Sequence, residues 1–238
     1  MMIQPTPNIH FHNNNSALFD GVNDNMTMPG LTNDINVNAG SISMWVKQDS
    51  TSINNSYFKA SVNAQNNIAI TYLNSSQVMR FQYKAGNVAE TTDAAFAFEG
   101  NDNWYHVVLT YDTAADGGNG EVKGFVNTTQ AGSTQAINGT FTGTIDNVMT
   151  GKNTLADNSY VAGHVSQMTI WKTALTTAQI AQLYNGGTPG NPLMNSNIAN
   201  LIGWYGFNEG SGTSVADLSG TGNTATFTNG TAFNTDTP

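Results

Sequence analysis

The chain has 238 residues, of which 39% are hydrophobic and only 10% charged, and 16 acidic against 7 basic side chains leave a net charge of −9. Soluble domains usually carry about 25% charge, so this surface must be polar without charge, a role filled by about thirty copies each of Asn and Thr. Thr favours strands, while Asn and the 24 Gly favour turns, which excludes a long helical bundle; a single Arg and few Lys exclude a phosphate-binding surface.

Residues 1–15 are polar, contain two prolines and show no periodicity, so they read as an N-terminal arm. From Ser16 onward, short alternating segments are separated by Asn/Gly/Asp turns, the pattern of a sandwich or barrel. Ser41–Lys47 is predicted as a strand with Ile42, Met44 and Val46 on one face and Ser43, Trp45 and Lys47 on the other. Asn67–Thr71 and Val78–Lys84 form a predicted hairpin around Asn74-Ser75-Ser76. Trp104–Asp112 reads as a central strand covered on both sides. Tyr105, Val107, Leu109 and Tyr111 face one way, and His106, Val108 and Thr110 the other. Residues 113–120 read as a turn-rich loop, and Val122–Asn127 and Gly163–Trp171 as further strands.

One helix is predicted near 176–185. Thr176 is its N-cap with Gln179 three residues on, Leu175 and Ile180 form a hydrophobic staple, and Gly186 is the stop. Its apolar stripe, Ile180, Leu183 and Tyr184, is narrow, so the helix must dock on the sheets to be stable. Residues 187–200 read as an irregular crossing. Leu201–Phe207 and Ala225–Thr228 read as two last strands joined by a Gly-rich loop, and 231–238 as a C-terminal tail. This gives a single domain over 16–230.

Cys is absent, so disulfides, thiolate metal sites and cysteine nucleophiles are excluded. The N-terminus lacks the basic and apolar regions of an export signal, and no apolar run approaches the ~20 residues of a membrane span. Seven N-x-[ST] triplets, at Asn14, Asn25, Asn54, Asn74, Asn127, Asn138 and Asn229, are expected by chance in so Asn- and Thr-rich a chain.

A set of segments in fixed order then carries a resemblance: Ala17–Asp24 (ALFDGVND), Ser41–Lys47 (SISMWVK), Trp104–Asp112, Gly163–Trp171, the helix ending Leu183-Tyr184-Asn185-Gly186-Gly187, and Leu201–Gly212 leading to Asp217–Asn223. Together they resemble a laminin G/pentraxin-type domain of the concanavalin A-like lectin/glucanase superfamily, over about residues 16–230. The resemblance implies an all-β, two-sheet antiparallel jelly-roll sandwich with the helix at an edge. In many relatives the GWY-FNEGSG segment comes first, whereas here it comes last, which implies that the C-terminal strands complete the same sandwich. YNGGTP, the LIGW strand and the ending Asp236-Thr237-Pro238 resemble lectin-like proteins of tailed phages, including marine ones.

Glucanases of this superfamily carry two Glu on one strand as E-x-D-x-x-E, roughly 5 Å apart; Glu90, Glu99, Glu121 and Glu209 do not form it. No G-x-S-x-G elbow is present, and His106 reads as a buried, hydrogen-bonded core histidine. His10 and His12 would share a side if that stretch were extended. Calcium takes 6–8 oxygens from Asp/Asn/Gly loops, and two loops offer them: Asp20 and Asp24 in one, Asp217, Ser219 and Asn223 in the other. Both could equally be Asx-turns. Sugar recognition combines aromatic stacking with polar hydrogen bonds, with Trp45, Tyr57, Tyr72, Tyr83 and Tyr160 as candidate platforms.

The expectation is a non-catalytic, lectin-like virion protein, a capsid decoration or fibre component that binds host glycans. Its partners would be glycans, other virion proteins and copies of itself, with no nucleic acid and no membrane insertion. It would assemble in the host cytoplasm. The alternatives are an extracellular carbohydrate-binding module, or a virion sandwich without glycan binding.

Overall fold

In the computed structural model the described residues are 11–50, 53–95, 103–153 and 159–238. Two antiparallel eight-stranded sheets face each other. Sheet A runs in the order β10 (Thr129–Gln135), β9 (Glu121–Val126), β8 (Tyr105–Asp112), β3 (Ala39–Gln48), β12 (Ala162–Trp171), β1 (Ser16–Asp20) and β16 (Ala232–Asn234), with β13 (Leu201–Tyr205) also paired to β12. Sheet B runs β14 (Ser214–Val215), β15 (Ala225–Thr228), β2 (Asn25–Thr27), β11 (Asn147–Thr150), β4 (Asn55–Ser61), β5 (Asn67–Leu73), β6 (Val78–Ala85) and β7 (Val88–Ala95). The C-terminal strands therefore complete both sheets, β13 and β16 in one and β14 and β15 in the other.

Alternation builds the core between the sheets. Ile42, Met44 and Val46 of β3 and Val107, Leu109 and Tyr111 of β8 meet Phe58, Ile70, Met79 and Phe81 of sheet B. The fit is tight at Gly124, where a Cβ would lie 2.1 Å from the Phe81 ring.

Sheet A is covered on its other side too. The helix α2 (Thr177–Tyr184) puts Ile180 and Leu183 into a second apolar cluster with Val108, Phe125, Trp171, Leu175, Leu201 and Trp204. The expected capping box is present: Thr176 Oγ1 accepts from Gln179 N–H, and Gln179 Oε1 accepts from Thr176 N–H. The chain leaves the helix through Asn185, left-handed at φ 45°, one residue before the expected stop at Gly186. Loop 113–120 contains a four-residue helical turn, α1 (Ala115–Gly118), left-handed at Asp116 and Gly117. Among the described residues no helix is long and apolar enough to cross a membrane.

Both ends of the described chain are tied to sheet A. Residues 231–238, expected as a tail, supply β16 at Ala232–Asn234, which pairs with β1 from Ser16↔Asn234 to Leu18↔Ala232. Beyond it, Asp236 accepts from Lys47 Nζ and, at 3.1 Å, from Trp104 Nε1. Residues 11–15 of the expected arm dock as well. Phe11 stacks on Trp204 at 6.3 Å, and Gln167 Nε2 donates to the His12 carbonyl at 3.0 Å. The rest of the arm, His10 included, lies outside the described residues.

Candidate functional site

The outer side of sheet B is where polar side chains gather on regular structure. Pairing register aligns Thr226, Thr27, Met149, Lys59, Ala69, Gln82 and Thr91 in one row across seven strands. The adjacent row holds Ser61, Asn67 and Lys84, and the row on the other side holds Thr71, Arg80 and Asp93. Their neighbours along each strand, such as Met79, Phe81 and Tyr83, point into the core. Gln82, Lys84, Thr71, Arg80, Asp93 and Met149 are partly exposed.

Lys59 is the centre of this face. It is 7% exposed, and its Nζ donates to Asn67 Oδ1 at 2.9 Å. The same oxygen accepts from Gln82 Nε2 at 2.7 Å, while Asn67 Nδ2 is held by the Asn63 and Ala64 carbonyls. An ammonium has three donors, and no carboxylate meets the Lys59 ammonium among the described residues. Burial, then the charge of Lys84, push its pKa down to about 8. One row away, Arg80 makes a two-pronged pair with Asp93 at 2.9 and 2.7 Å, which raises the guanidinium pKa further.

The five aromatic candidates lie elsewhere. Tyr57, Tyr72 and Tyr83 are 0% exposed and belong to the core, so no sugar can stack on them. A bulge between Ser56 and Phe58 turns Tyr57 inward beside Phe58. Tyr83 shares the inner face of β6 with Met79 and Phe81, and its hydroxyl donates to the Val37 carbonyl at 3.0 Å. Trp45, 3% exposed, is stacked under Tyr184 of α2 at 5.7 Å, so the helix occupies the ring face a sugar would need. Tyr160 alone is half-buried, with Lys152 Nζ 5.6 Å above its ring.

The two Asp loops are separate. Asp20 pairs with Ala162, whereas Asp217 accepts from Trp204 N–H, and Trp204 pairs with Thr169. Seven residues along β12 is about 23 Å. Burial alone would raise the Asp217 pKa, but hydrogen bonds from the Ser219, Trp204 and Asn223 segments hold it below the usual range. Its oxygens accept from the backbone N–H of Trp204, Ser219 and Asn223 and from Thr221 Oγ1. Ser219 caps Thr221, and the Asn223 amide is spent on Asp34 and the Ile202 carbonyl. This is an Asx-type staple in which both Asp217 oxygens already accept hydrogen bonds.

The Asp20–Asp24 loop differs. Asp20 Oδ1 caps Val22 and Asn23, and Asp24 Oδ2 accepts from Asp20 N–H, but Asp24 Oδ1 is buried without a hydrogen-bond partner. Burial, and then the nearby Asp20 charge, raise the Asp24 pKa. The loop lines a cleft of about 410 Å³ with Leu18, Asp49, Ser50 and Gly230. An orphaned carboxylate oxygen beside two further carboxylates fits a hard cation in donor chemistry. Among the described residues, however, no three His, Asp or Glu side chains converge on one metal position.

The carboxylate pair of the glucanases is not assembled among the described residues. Glu90 bonds Asn138, Glu121 pairs with Lys123, and Glu209 accepts from Ala216 N–H, on separate segments; Glu99 lies outside the described residues. His106 is 1% exposed, bonds Ser43 Oγ at 2.7 Å and packs on Trp45, and burial pushes its pKa down to about 3. It is a neutral core histidine.

Residues 20–181 match the family profile described as the concanavalin A-like lectin/glucanases superfamily. The chain belongs to that superfamily. Among solved structures, this superfamily member is similar to a putative carbohydrate binding protein from Bacteroides ovatus (TM-score 0.65, 14% identity, 93% of this chain and 60% of that one). It is also similar to domain 4 of AbnA, an extracellular arabinanase from Geobacillus stearothermophilus, in complex with arabinotriose (0.58, 21%, 71% and 75%). A third is the CBM40 of Ruminococcus gnavus IT-sialidase (0.55, 17%, 70% and 94%). At these identities the likeness is one of fold. No curated protein matches the chain.

Lys59, Arg80, Gln82 and Lys84 were not among the residues singled out from the sequence. For Arg80, Gln82 and Lys84 the signal was present in the alternation Met79-Arg80-Phe81-Gln82-Tyr83-Lys84, which sets three polar side chains against three apolar ones.

Proposed function

We propose that this superfamily member is a non-catalytic glycan-binding domain whose sugar lies across the outer side of sheet B. The observation that carries this reading is the three-row polar face around Lys59, Asn67, Gln82 and Arg80, built on rigid strands while the helix covers the other sheet. Hydroxyl-rich ligands are recognised by such arrays of amide, guanidinium and carboxylate groups. Solved structures of similar fold whose names refer to carbohydrate binding support it.

The test is a glycan array with the purified chain, repeated with Gln82→Trp, which fills the middle of the face. Selective binding that the substitution removes is expected. Silence across the array, or binding that Gln82→Trp leaves unchanged, would refute the assignment.

Two finer points complete the proposal. A calcium ion would be held by Asp24 and Asp20, where it would stiffen the β1–β2 turn. The domain would be displayed on a virion in several copies; support for this is the sequence resemblance alone. Copurification with particles at fixed stoichiometry tests it, and a chain absent from particles yet selective on the array would leave an extracellular binding module as the reading.

A further inference from the structure

Three of the seven cations in a chain of net charge −9 converge on one sheet face, Lys59, Arg80 and Lys84; among the described residues Asp93 is the carboxylate paired into these rows, and Asp146 lies at their edge, bonded to Asn147. Arg80 and Asp93 satisfy one another. Lys59 and Lys84 have no carboxylate partner among the described residues. A charge buried without a counter-ion is costly. Here the Lys59 ammonium and the Gln82 amide both donate to one oxygen, Asn67 Oδ1, which holds the two side chains side by side.

Resting on the glycan-binding reading above, we infer that this face selects anionic sugars, with a carboxylate or sulfate substituent on the sugar seated against Lys59 and Lys84. The acidic remainder of the molecule repels polyanions at long range. Screening confines that repulsion to about 8 Å at physiological ionic strength, so a short anionic glycan can reach the local positive field where a long polyanion is disfavoured. The groups facing Lys59 are Asn67 and Gln82, with Lys84 one row away and the Arg80–Asp93 pair beyond Gln82; none of them offers it an unshared negative charge. The ammonium of Lys59, whose pKa is depressed, holds its proton at neutral pH and releases it near pH 8 in the free protein.

Calorimetric titration of the full chain with three oligosaccharides tests this: a hexuronate, a sulfated galactan fragment, and the same galactan desulfated. The charged ligands should bind at pH 7, weaken as salt rises, and weaken again between pH 7.5 and 9.5. Lys59→Met should reduce charged-ligand affinity about 10- to 100-fold, the range of a charge-assisted hydrogen bond, and weaken the desulfated galactan by a much smaller factor. Lys84→Met should give a smaller loss in the same direction, and keeps the test open should Lys59→Met fail to fold. The two charged ligands separate a planar carboxylate from a tetrahedral sulfate as the preferred group. Neutral and sulfated galactans bound equally well, or charged binding indifferent to both substitutions, would overturn the anionic assignment while leaving a glycan site standing. A chain silent on the array would sink both readings. Equal binding of a short single-stranded oligonucleotide would overturn selectivity for sugars.

Discussion

Replacing Lys59 by Met should stabilise the protein while disarming its polar face. Met retains the length of the aliphatic stem and removes the charge, and Asn67 Oδ1 is not orphaned because Gln82 Nε2 still donates to it at 2.7 Å. The drop of the Lys59 pKa from 10.5 to about 8 corresponds to about 3 kcal/mol against the charged form in the folded state. Loss of the hydrogen bond to Asn67 offsets about 1 kcal/mol of that, leaving a net gain of about 2 kcal/mol at pH 7. For a chain of this length that is a rise in Tm of about 4–8 °C.

The sign with pH is distinctive. Above pH 8 the folded wild type releases a proton that the unfolded chain keeps until about pH 10.5, so this group's penalty fades as pH rises. Urea unfolding of both proteins from pH 6 to 10.5 is the assay. The advantage of Lys59→Met should be largest below pH 8 and shrink through the window from 8 to 10.5. A variant less stable than wild type at pH 7, or a difference that does not change with pH, would refute the account of Lys59 as a buried, uncompensated cation.

Thr176→Ala removes the cap of α2 and should cost about 1 kcal/mol in urea unfolding. Gly163→Ala should cost about 3 kcal/mol or more, since Gly163 has φ 145° and a Cβ there would meet the Lys47 carbonyl at 2.2 Å; a near-native melting curve would contradict the packing at β3 and β12. Asp217→Ala strands several backbone donors and should cost about 2–4 kcal/mol at pH 7. Because the folded Asp217 pKa is depressed, that contribution should disappear as pH falls below about 4. If calcium binds the Asp20–Asp24 loop, a hundredfold excess over Kd should add about 2.7 kcal/mol, seen as a higher Tm that EDTA reverses and Asp24→Asn abolishes.

What the sequence determined by itself was the local part of the fold. Ile42, Met44 and Val46 alternate against Ser43, Trp45 and Lys47, and that two-residue period alone assigns one face of β3 to the core. Thr176 and Gln179 cap a helix through contacts three residues apart, and such short-range hydrogen bonds are written directly into the residue order. Pairing between distant segments is not. Nothing within residues 232–234 announces that they add a strand beside Ser16, because the match depends on backbone groups brought together across the whole chain. The aromatic candidates show the same division. Tyr57 faces inward because of a bulge, and Trp45 is roofed by a helix that begins more than a hundred residues later. The face centred on Lys59 exists only once β11, β4, β5, β6 and β7 lie in register. A strand's own pattern says which side chains share a face, but only tertiary pairing decides which faces are joined.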